Sequence, residues 1–413
     1  MAALAASAAA TAQPATPSPP QLDATAWSLI DAGSGEELAA SDAGQPLPIA
    51  SATKMMTAWV VLRELSLSDV VRASEYDAAA VESVMGLRPG QFISVRDLLY
   101  GLFLASGNDA AHTLAIAAAG SVPRFVTKMN AQARALGLTD TSFANPIGLD
   151  QPGNHSSAAD LTTLGRRLLA VPGVREITSA RSATLGSLRP PLELETRNTL
   201  LYELPWADGI KTGYTLQAGY VLVASGSKLR TELVAAVLGT DSTEARDREA
   251  GRLLNYGISL YQSRHAIKRG SIQARPEIRH SGDTLPLRAA RAVRLGVRPD
   301  QQLEIRVRAP DEVEGPIERG RTLGQAVVTL DGRRIATVPL HGTRAVPEAG
   351  PLDRLIHSPW RYSALIVATL FVILIVAALI RRRRRQTPYE DWMQQSTDTS
   401  RSGSGNRDRG PRR

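Results

Sequence analysis

Ser51 and Lys54 stand three residues apart in Pro48-Ile49-Ala50-Ser51-Ala52-Thr53-Lys54-Met55-Met56-Thr57. In a segment that enters a helix at Ser51, that spacing puts hydroxyl and amine on one face. The serine backbone N–H would then lie at the positive end of the helix dipole. A serine hydroxyl becomes a useful nucleophile only when a neighbouring base takes its proton. Lysine can be that base if burial or a second cation brings its pKa well below the ordinary value of about 10.4. Such chemistry asks for another lysine elsewhere in the chain. Taken alone, the spacing also fits a helix N-cap serine followed by a solvated lysine.

The elements that would position this pair can be read in chain order. Ala26–Ile30 and Glu36–Ala40 flank Asp31-Ala32-Gly33-Ser34-Gly35 as a hairpin that delivers the chain to Ser51. Met55–Leu65 is mostly apolar, as a largely buried helix would be. Ser94-Val95-Arg96-Asp97 reads as an N-cap with an acid at the third position, opening an apolar helix over 98–105. That helix stops at Ser106-Gly107-Asn108, and an Ala-rich helix starts at Asp109. Small polar residues between two buried helices lie deep, where unpaired polar groups are costly, although a helix break with a capping Asn would also account for them. A helix over 123–138 precedes a long irregular segment, Thr139 to Ser157, of the kind that often carries function. Another helix runs from about Ala158 to Leu169. Lys211-Thr212-Gly213 opens what read as paired core strands, 219–225 and 232–239, and supplies the second lysine. Gly213 would leave room for a substrate backbone to lie along the strand.

Three motifs in the order S-x-x-K, S-x-N and K-T-G resemble the signature of the penicillin-binding D-alanyl-D-alanine carboxypeptidases, serine peptidases that trim peptidoglycan stem peptides. The resemblance runs from about Trp27 to Leu340. It includes Asn145-Pro146-Ile147-Gly148-Leu149, His155 to Leu161, Asp208-Gly209-Ile210 and Leu253 to Gly257. It implies an α/β catalytic domain of the penicillin-binding and β-lactamase-like transpeptidase fold, with an antiparallel sheet flanked by helices. It further implies that Ser51 is acylated by the penultimate D-Ala carbonyl with Lys54 as its base, and that Ser106 and Asn108 complete the polar network. Lys211 would keep the site electropositive, Thr212 would contact the terminal carboxylate, and Arg246 aligns with the carboxylate-binding arginine, although a surface arginine is the other reading. Backbone N–H groups of Ser51 and Tyr214 would form the oxyanion hole. His155 and Asp160 fall in the region that flanks the site, in either a catalytic or a structural role. β-Lactams are then expected as covalent inhibitors. Class A β-lactamases use a glutamate after the second motif for deacylation. Here no glutamate occurs between Glu82 and Glu176, so a longer-lived acyl-enzyme is expected.

Other chemistries are disfavoured by composition. Without cysteine there is no disulfide, thiol nucleophile or thiolate metal site. The six histidines show no H-x-x-x-H or H-E-x-x-H spacing, so no metal and no cofactor are expected. The net charge of +8 is mostly that of residues 381–413, with ten arginines against four acids, which gives no reason to invoke nucleic acid.

The ends read as attachments. Residues 1–20 are uncharged and rich in Ala, Pro, Ser and Thr, either a truncated secretory signal or a disordered leader. The catalytic domain is placed at 21–262. After Lys268 the texture turns to β, with alternation over Leu303–Arg308 and a hairpin signal at Asp331-Gly332, giving a small all-β domain over 268–345. A linker over 346–361 leads to an uncharged apolar run from Tyr362 to Ile380, about 28 Å long as a helix. Arg381 to Arg385 follow directly, so the run reads as one transmembrane helix with the catalytic domain extracytoplasmic and a basic, disordered cytoplasmic tail, 381–413, near anionic lipid. The expected activity is a serine D-Ala-D-Ala carboxypeptidase. The alternatives are a DD-endopeptidase acting on cross-linked muropeptides and a non-catalytic cell-wall binding protein that has kept the fold.

Overall fold

The computed structural model describes residues 17–356 and 361–386. The reading of residues 1–16 as a signal or leader, the Trp360 end of the linker and the tail beyond Gln386 lie outside the described residues. Two compact units are formed. The first comprises residues up to Ile267 together with Val293–Glu304 and Thr329–Ile335; the second comprises Lys268–Ala292, Ile305–Val328 and the chain from Ala336 onward.

The first unit begins with the expected hairpin, β1 (Ala26–Asp31) and β2 (Glu37–Ser41). A single 3-10 turn, Ala50–Thr53, then runs directly into α1 (Lys54–Glu64). Every residue of α1 from Lys54 to Val61 is buried, so this helix is the centre of the core, packed by later helices. A short pair, β3 (Val70–Arg72) and β4 (Phe92–Ser94), brackets an irregular loop and leads to α2 (Val95–Phe103). The Ser94 hydroxyl accepts from the Asp97 N–H at 3.1 Å, which is the cap read from the sequence. Next come α3 (Asn108–Ala119), α4 (Val122–Ala135) and α5 (Ala158–Leu169), the last capped by Ser157, whose hydroxyl accepts from the Asp160 N–H at 3.2 Å.

After α6 (Val174–Thr178), the ribbon β5 (Ser182–Leu185) and β6 (Leu192–Glu195), and a turn of helix α7 (Leu200–Glu203), three long strands close the sheet: β7 (Ala207–Thr215), β8 (Gly219–Lys228) and β9 (Thr231–Thr240). The order is β2-β1-β9-β8-β7, with every neighbouring pair antiparallel. Lys211-Thr212-Gly213 thus sits within a strand, not at its start, and that strand is an edge paired only with β8. The helix α8 (Thr243–Ser259) packs on β8 and β9, across the sheet from the α1 core, and buries Leu253 and Leu254 with Leu222 and Leu233. Apolar residues alternate along β8 and β9 between these two cores, as a sheet covered on both faces requires.

Beyond α8, β10 (Gln262–Ile267) leaves the first unit, and β11 (Ile272–Ala274), β12 (Glu277–Ile278) and β13 (Leu287–Ala289) belong to the second. The chain continues through β14 (Val293–Val297), β15 (Leu303–Arg308), β16 (Glu312–Val313), β17 (Thr322–Leu330) and β18 (Arg333–Gly342). A five-stranded sheet is ordered β11-β13-β18-β17-β15. Asp331 and Gly332 both adopt positive φ, 48° and 77°, which makes the tight turn that their sequence signalled. A short helix, α9 (Pro351–Ile356), precedes α10 (Arg361–Gln386), in which the window Leu365–Arg383 is long and apolar enough to cross a membrane and none of it is buried.

Candidate active site

Lys54 opens α1, and the preceding 3-10 turn brings Ser51 back over it. The Lys54 Nζ stands 3.0 Å from Ser51 Oγ. It also meets Asn108 Oδ1 at 2.6 Å and the Ile147 carbonyl. A neutral amine has two N–H groups and one lone pair. With the two N–H donated to Asn108 and Ile147, the lone pair is left facing the Ser51 hydroxyl, which is the arrangement a general base needs.

Lys54 is fully buried. Burial is the main reason its pKa falls, to about 7. The carboxylates of Glu82 and Asp109 pull it back up, and Arg197 pushes it further down. Lys211 is likewise buried and lies well below its ordinary value, first through burial and then through the charges of Lys54, Arg197 and Arg246. Its Nζ donates to the Thr212 carbonyl at 2.8 Å.

The long segment Thr139–Ser157 is what carries the Ile147 carbonyl to Lys54. It is tied down by side chains of two neighbouring helices and by one of its own. Asn130 exchanges two hydrogen bonds with the Phe143 backbone, at 2.7 and 2.9 Å. Asn145 Oδ1 accepts from the N–H groups of Ile147 and Gly148, and the Thr57 hydroxyl donates to the Pro146 carbonyl at 2.6 Å. At Gly148, with φ of 90°, an added Cβ would stand 2.0 Å from the Ala50 carbonyl oxygen. Only glycine can bring this loop so close to the serine turn.

Gly213 has the same cause. A Cβ there would meet Ser51 N and Ala50 Cβ at 3.0 Å, so the residue lets β7 lie against the serine turn. The space for a substrate backbone inferred from the sequence is therefore occupied, on this side of Gly213, by protein. Ala50 and Ser106 are both held at positive φ, 47° and 59°. Non-glycine residues in that region cost on the order of 1–3 kcal/mol and persist only where packing over-determines them.

An open cleft of about 590 Å³ is lined by Ser51, Asn108, the Val81–Ser83 segment, the Ile147–Asp150 segment and the Tyr214–Leu216 end of β7. The structure thus brings together Ser51, Lys54 and Asn108 by hydrogen bonds, and sets Lys211 near enough for Lys54 to act on its charge. Ser106 is buried between α2 and α3, and among the described residues its side chain has no hydrogen bond to the other motif residues. Thr212 is buried, while Tyr214 is half-exposed with its ring 4.4 Å from that of Tyr220.

Arg246 is not a surface arginine. It is buried on α8, its Nε donating to Asp247 Oδ1 at 2.7 Å and its Nη2 to Thr199 Oγ1 at 3.4 Å. His155 and Asp160 do not line the cleft. The His155 backbone pairs with Ser142. The Asp160 carboxylate accepts from the Asp140 N–H at 2.9 Å and the Thr141 hydroxyl at 2.6 Å, closing the base of the loop. Among the described residues no group of acids and histidines could hold a metal.

Two residues at the site carried no motif. Glu82 accepts from Asn108 Nδ2 at 2.7 Å and from the Tyr76 hydroxyl. Burial pushes its carboxyl up, but those hydrogen bonds and the charge of Lys54 more than offset this and hold it below its usual range. Arg197, after β6, donates its backbone N–H to the Leu104 carbonyl at 3.1 Å and its guanidinium to the Ser83 hydroxyl, and its charge acts on both lysines.

Known proteins agree with this architecture. A sequence model described as D-alanyl-D-alanine carboxypeptidase matches residues 13–242. The chain is 30% identical over 332 residues to the D-alanyl-D-alanine carboxypeptidase DacF of Bacillus subtilis, covering 78% of this chain and 85% of that one. It is 34% identical over 354 residues to DacC of Escherichia coli, covering 81% and 87%. Among solved structures it is similar to penicillin binding protein 5 of Haemophilus influenzae, with a TM-score of 0.56 and 30% identity over 80% of this chain and 99% of that one. With a family match over residues 13–242 and similarity running through most of both chains, the protein belongs to the D-alanyl-D-alanine carboxypeptidase family.

Proposed function

We propose that this chain removes the terminal D-Ala from peptidoglycan stem peptides through an acyl-enzyme on Ser51. The observation that carries the reading is the Lys54 amine, buried and 3.0 Å from the Ser51 hydroxyl, with its other contacts filled by acceptors. Lys54 takes the proton as Ser51 Oγ attacks the penultimate D-Ala carbonyl. The tetrahedral oxyanion is held by the backbone N–H groups of Ser51 and Tyr214. The C–N bond then breaks, the amine of D-Ala receives the proton, and water hydrolyses the ester to free the shortened stem.

Several features support the remaining assignments. Because β7 is a sheet edge, its outer N–H and C=O groups are available to an extended peptide. In this reading Thr212 and Arg246 receive the terminal carboxylate, with Ser106, Asn108 and Lys211 completing the polar network. A β-lactam would acylate Ser51 by ring opening, a step that releases no leaving group. Residues 21–262 then form the catalytic domain and 268–345 a β domain that acts as a spacer. The apolar stretch of α10, whose C-terminal end carries arginines from Arg381, spans the membrane with the catalytic domain outside and its basic end near anionic lipid headgroups.

The test uses the full chain in mild detergent with a diacyl-L-Lys-D-Ala-D-Ala peptide. D-Ala is released by the native protein and not by Ser51→Ala. Folded protein that neither releases D-Ala nor is acylated by penicillin at Ser51 would overturn the reading.

A further inference from the structure

Asn108 has one amide and two very different neighbours. Its Oδ1 faces the Lys54 amine at 2.6 Å and its Nδ2 faces Glu82 Oε2 at 2.7 Å. Turned over, the amide would set its NH₂ against the N–H groups of Lys54 and its carbonyl oxygen against a carboxylate. Glu82, an anion that can only accept, therefore fixes which way Asn108 points.

Glu82 is itself held. Its Oε1 accepts from the Ala79 N–H at 3.1 Å, and Oε2 also accepts from the Tyr76 hydroxyl. Burial and the neighbouring carboxylate raise the Tyr76 phenol, so it stays a donor. The loop bearing Glu82 is anchored to α3 twice over. The Asn108 N–H donates to the Ser83 carbonyl at 2.7 Å, and the Asp109 carboxylate accepts from the N–H groups of Met85, Gly86 and Leu87.

We propose that Glu82 is a positioning residue for the serine–lysine pair, acting through Asn108 to orient the acceptor on Lys54 and setting the negative charge beside it. The inference rests on Lys54 being the base for Ser51. The charged groups facing Lys54 are Glu82, Asp109, Arg197 and Lys211, and of these Glu82 is the carboxylate with the largest effect on it. Neutralising Glu82 makes the charged amine less favourable, so the neutral base persists to lower pH.

The experiment follows acylation of the full chain by a fluorescent penicillin from about pH 5 to about pH 9. In the native protein the rate climbs through a midpoint near about 7. Glu82→Gln can still accept from Asn108, so it moves the midpoint down by about half a pH unit or more, roughly a threefold gain near pH 6 relative to the plateau. Glu82→Ser shifts it likewise but is too short to hold the amide, so its plateau also falls by about tenfold. Glu82→Asp keeps the charge and the native midpoint. Glu82 lies on a loop, and either charge-removing variant that folds, judged by its thermal melt, decides the matter. A native rising limb that neither variant moves overturns the proposal alone. A native profile flat across this range removes Lys54 as the base, and the proposal with it.

Discussion

The Lys54 amine lies closer to Asn108 Oδ1, at 2.6 Å, than to the Ser51 hydroxyl, at 3.0 Å. The amide therefore does not cap α3, whose N-cap is Gly107; it takes one of the two N–H groups that would otherwise compete for the serine oxygen. Asn108→Ala leaves that buried N–H without its acceptor. Penicillin acylation should fall by about 10²–10³-fold while the melting temperature shifts by only a few degrees. A change smaller than about threefold, measured by stopped-flow acylation, would contradict this role.

The depressed Lys54 sets a pH window. Above about 7 the amine is neutral and competent; below it each pH unit costs about tenfold in the competent fraction. Arg197 is a permanent cation whose charge favours the neutral amine. Arg197→Gln should move the acylation midpoint upward, opposite in sign to the effect of neutralising Glu82. The same lysine links to stability. Between about 7 and its ordinary 10.5 the unfolded chain holds a proton that the folded one has released, so its contribution to stability rises with pH across that interval. Acylation profiles of the two proteins check the first statement, and urea midpoints at about pH 7 and about pH 9 check the second.

Gly148→Ala should be among the most damaging single substitutions that leave every motif residue in place. The methyl group meets the Ala50 carbonyl at 2.0 Å, and the backbone φ of 90° adds strain that no rotamer relieves. A loss of about 2–4 kcal/mol in chemical denaturation is expected, together with slower acylation, because the Ile147 carbonyl moves away from Lys54. Unchanged stability would mean that the loop can retreat from the serine turn at little cost.

What could be read from the chain divides by how local its cause is. Ser51 and Lys54 are placed by one turn of backbone, Ser94 and Asp97 by another, and Asp331-Gly332 by two positive φ values, so each was legible from a few neighbouring residues. Lys211 was legible as chemistry but not as position: nothing in Lys-Thr-Gly says that it lies mid-strand on a sheet edge. Glu82 and Arg197 were not legible at all. Both belong to irregular segments, and what brings them to Lys54 is the set of ties made by Asp109, Ser83 and Leu104, all distant in sequence from the residues they hold. Arg246 stands between two readings in the sequence because Arg248 is two residues away; burial separates them, Arg246 being buried against Asp247 while the Arg248 side chain is half-exposed.

The strand order β2-β1-β9-β8-β7 places the first strand of this sheet in chain order against its last, with Trp27 opposite Val237. The serine turn follows the first hairpin, yet the edge that lies against it is β7, past residue 206. Ser51 and Lys54 thus come long before the strand that completes their surroundings. A chain halted before β7 would hold Ser51 and Lys54 in its sequence but lack the strand that lies against their turn, and so the assembled site.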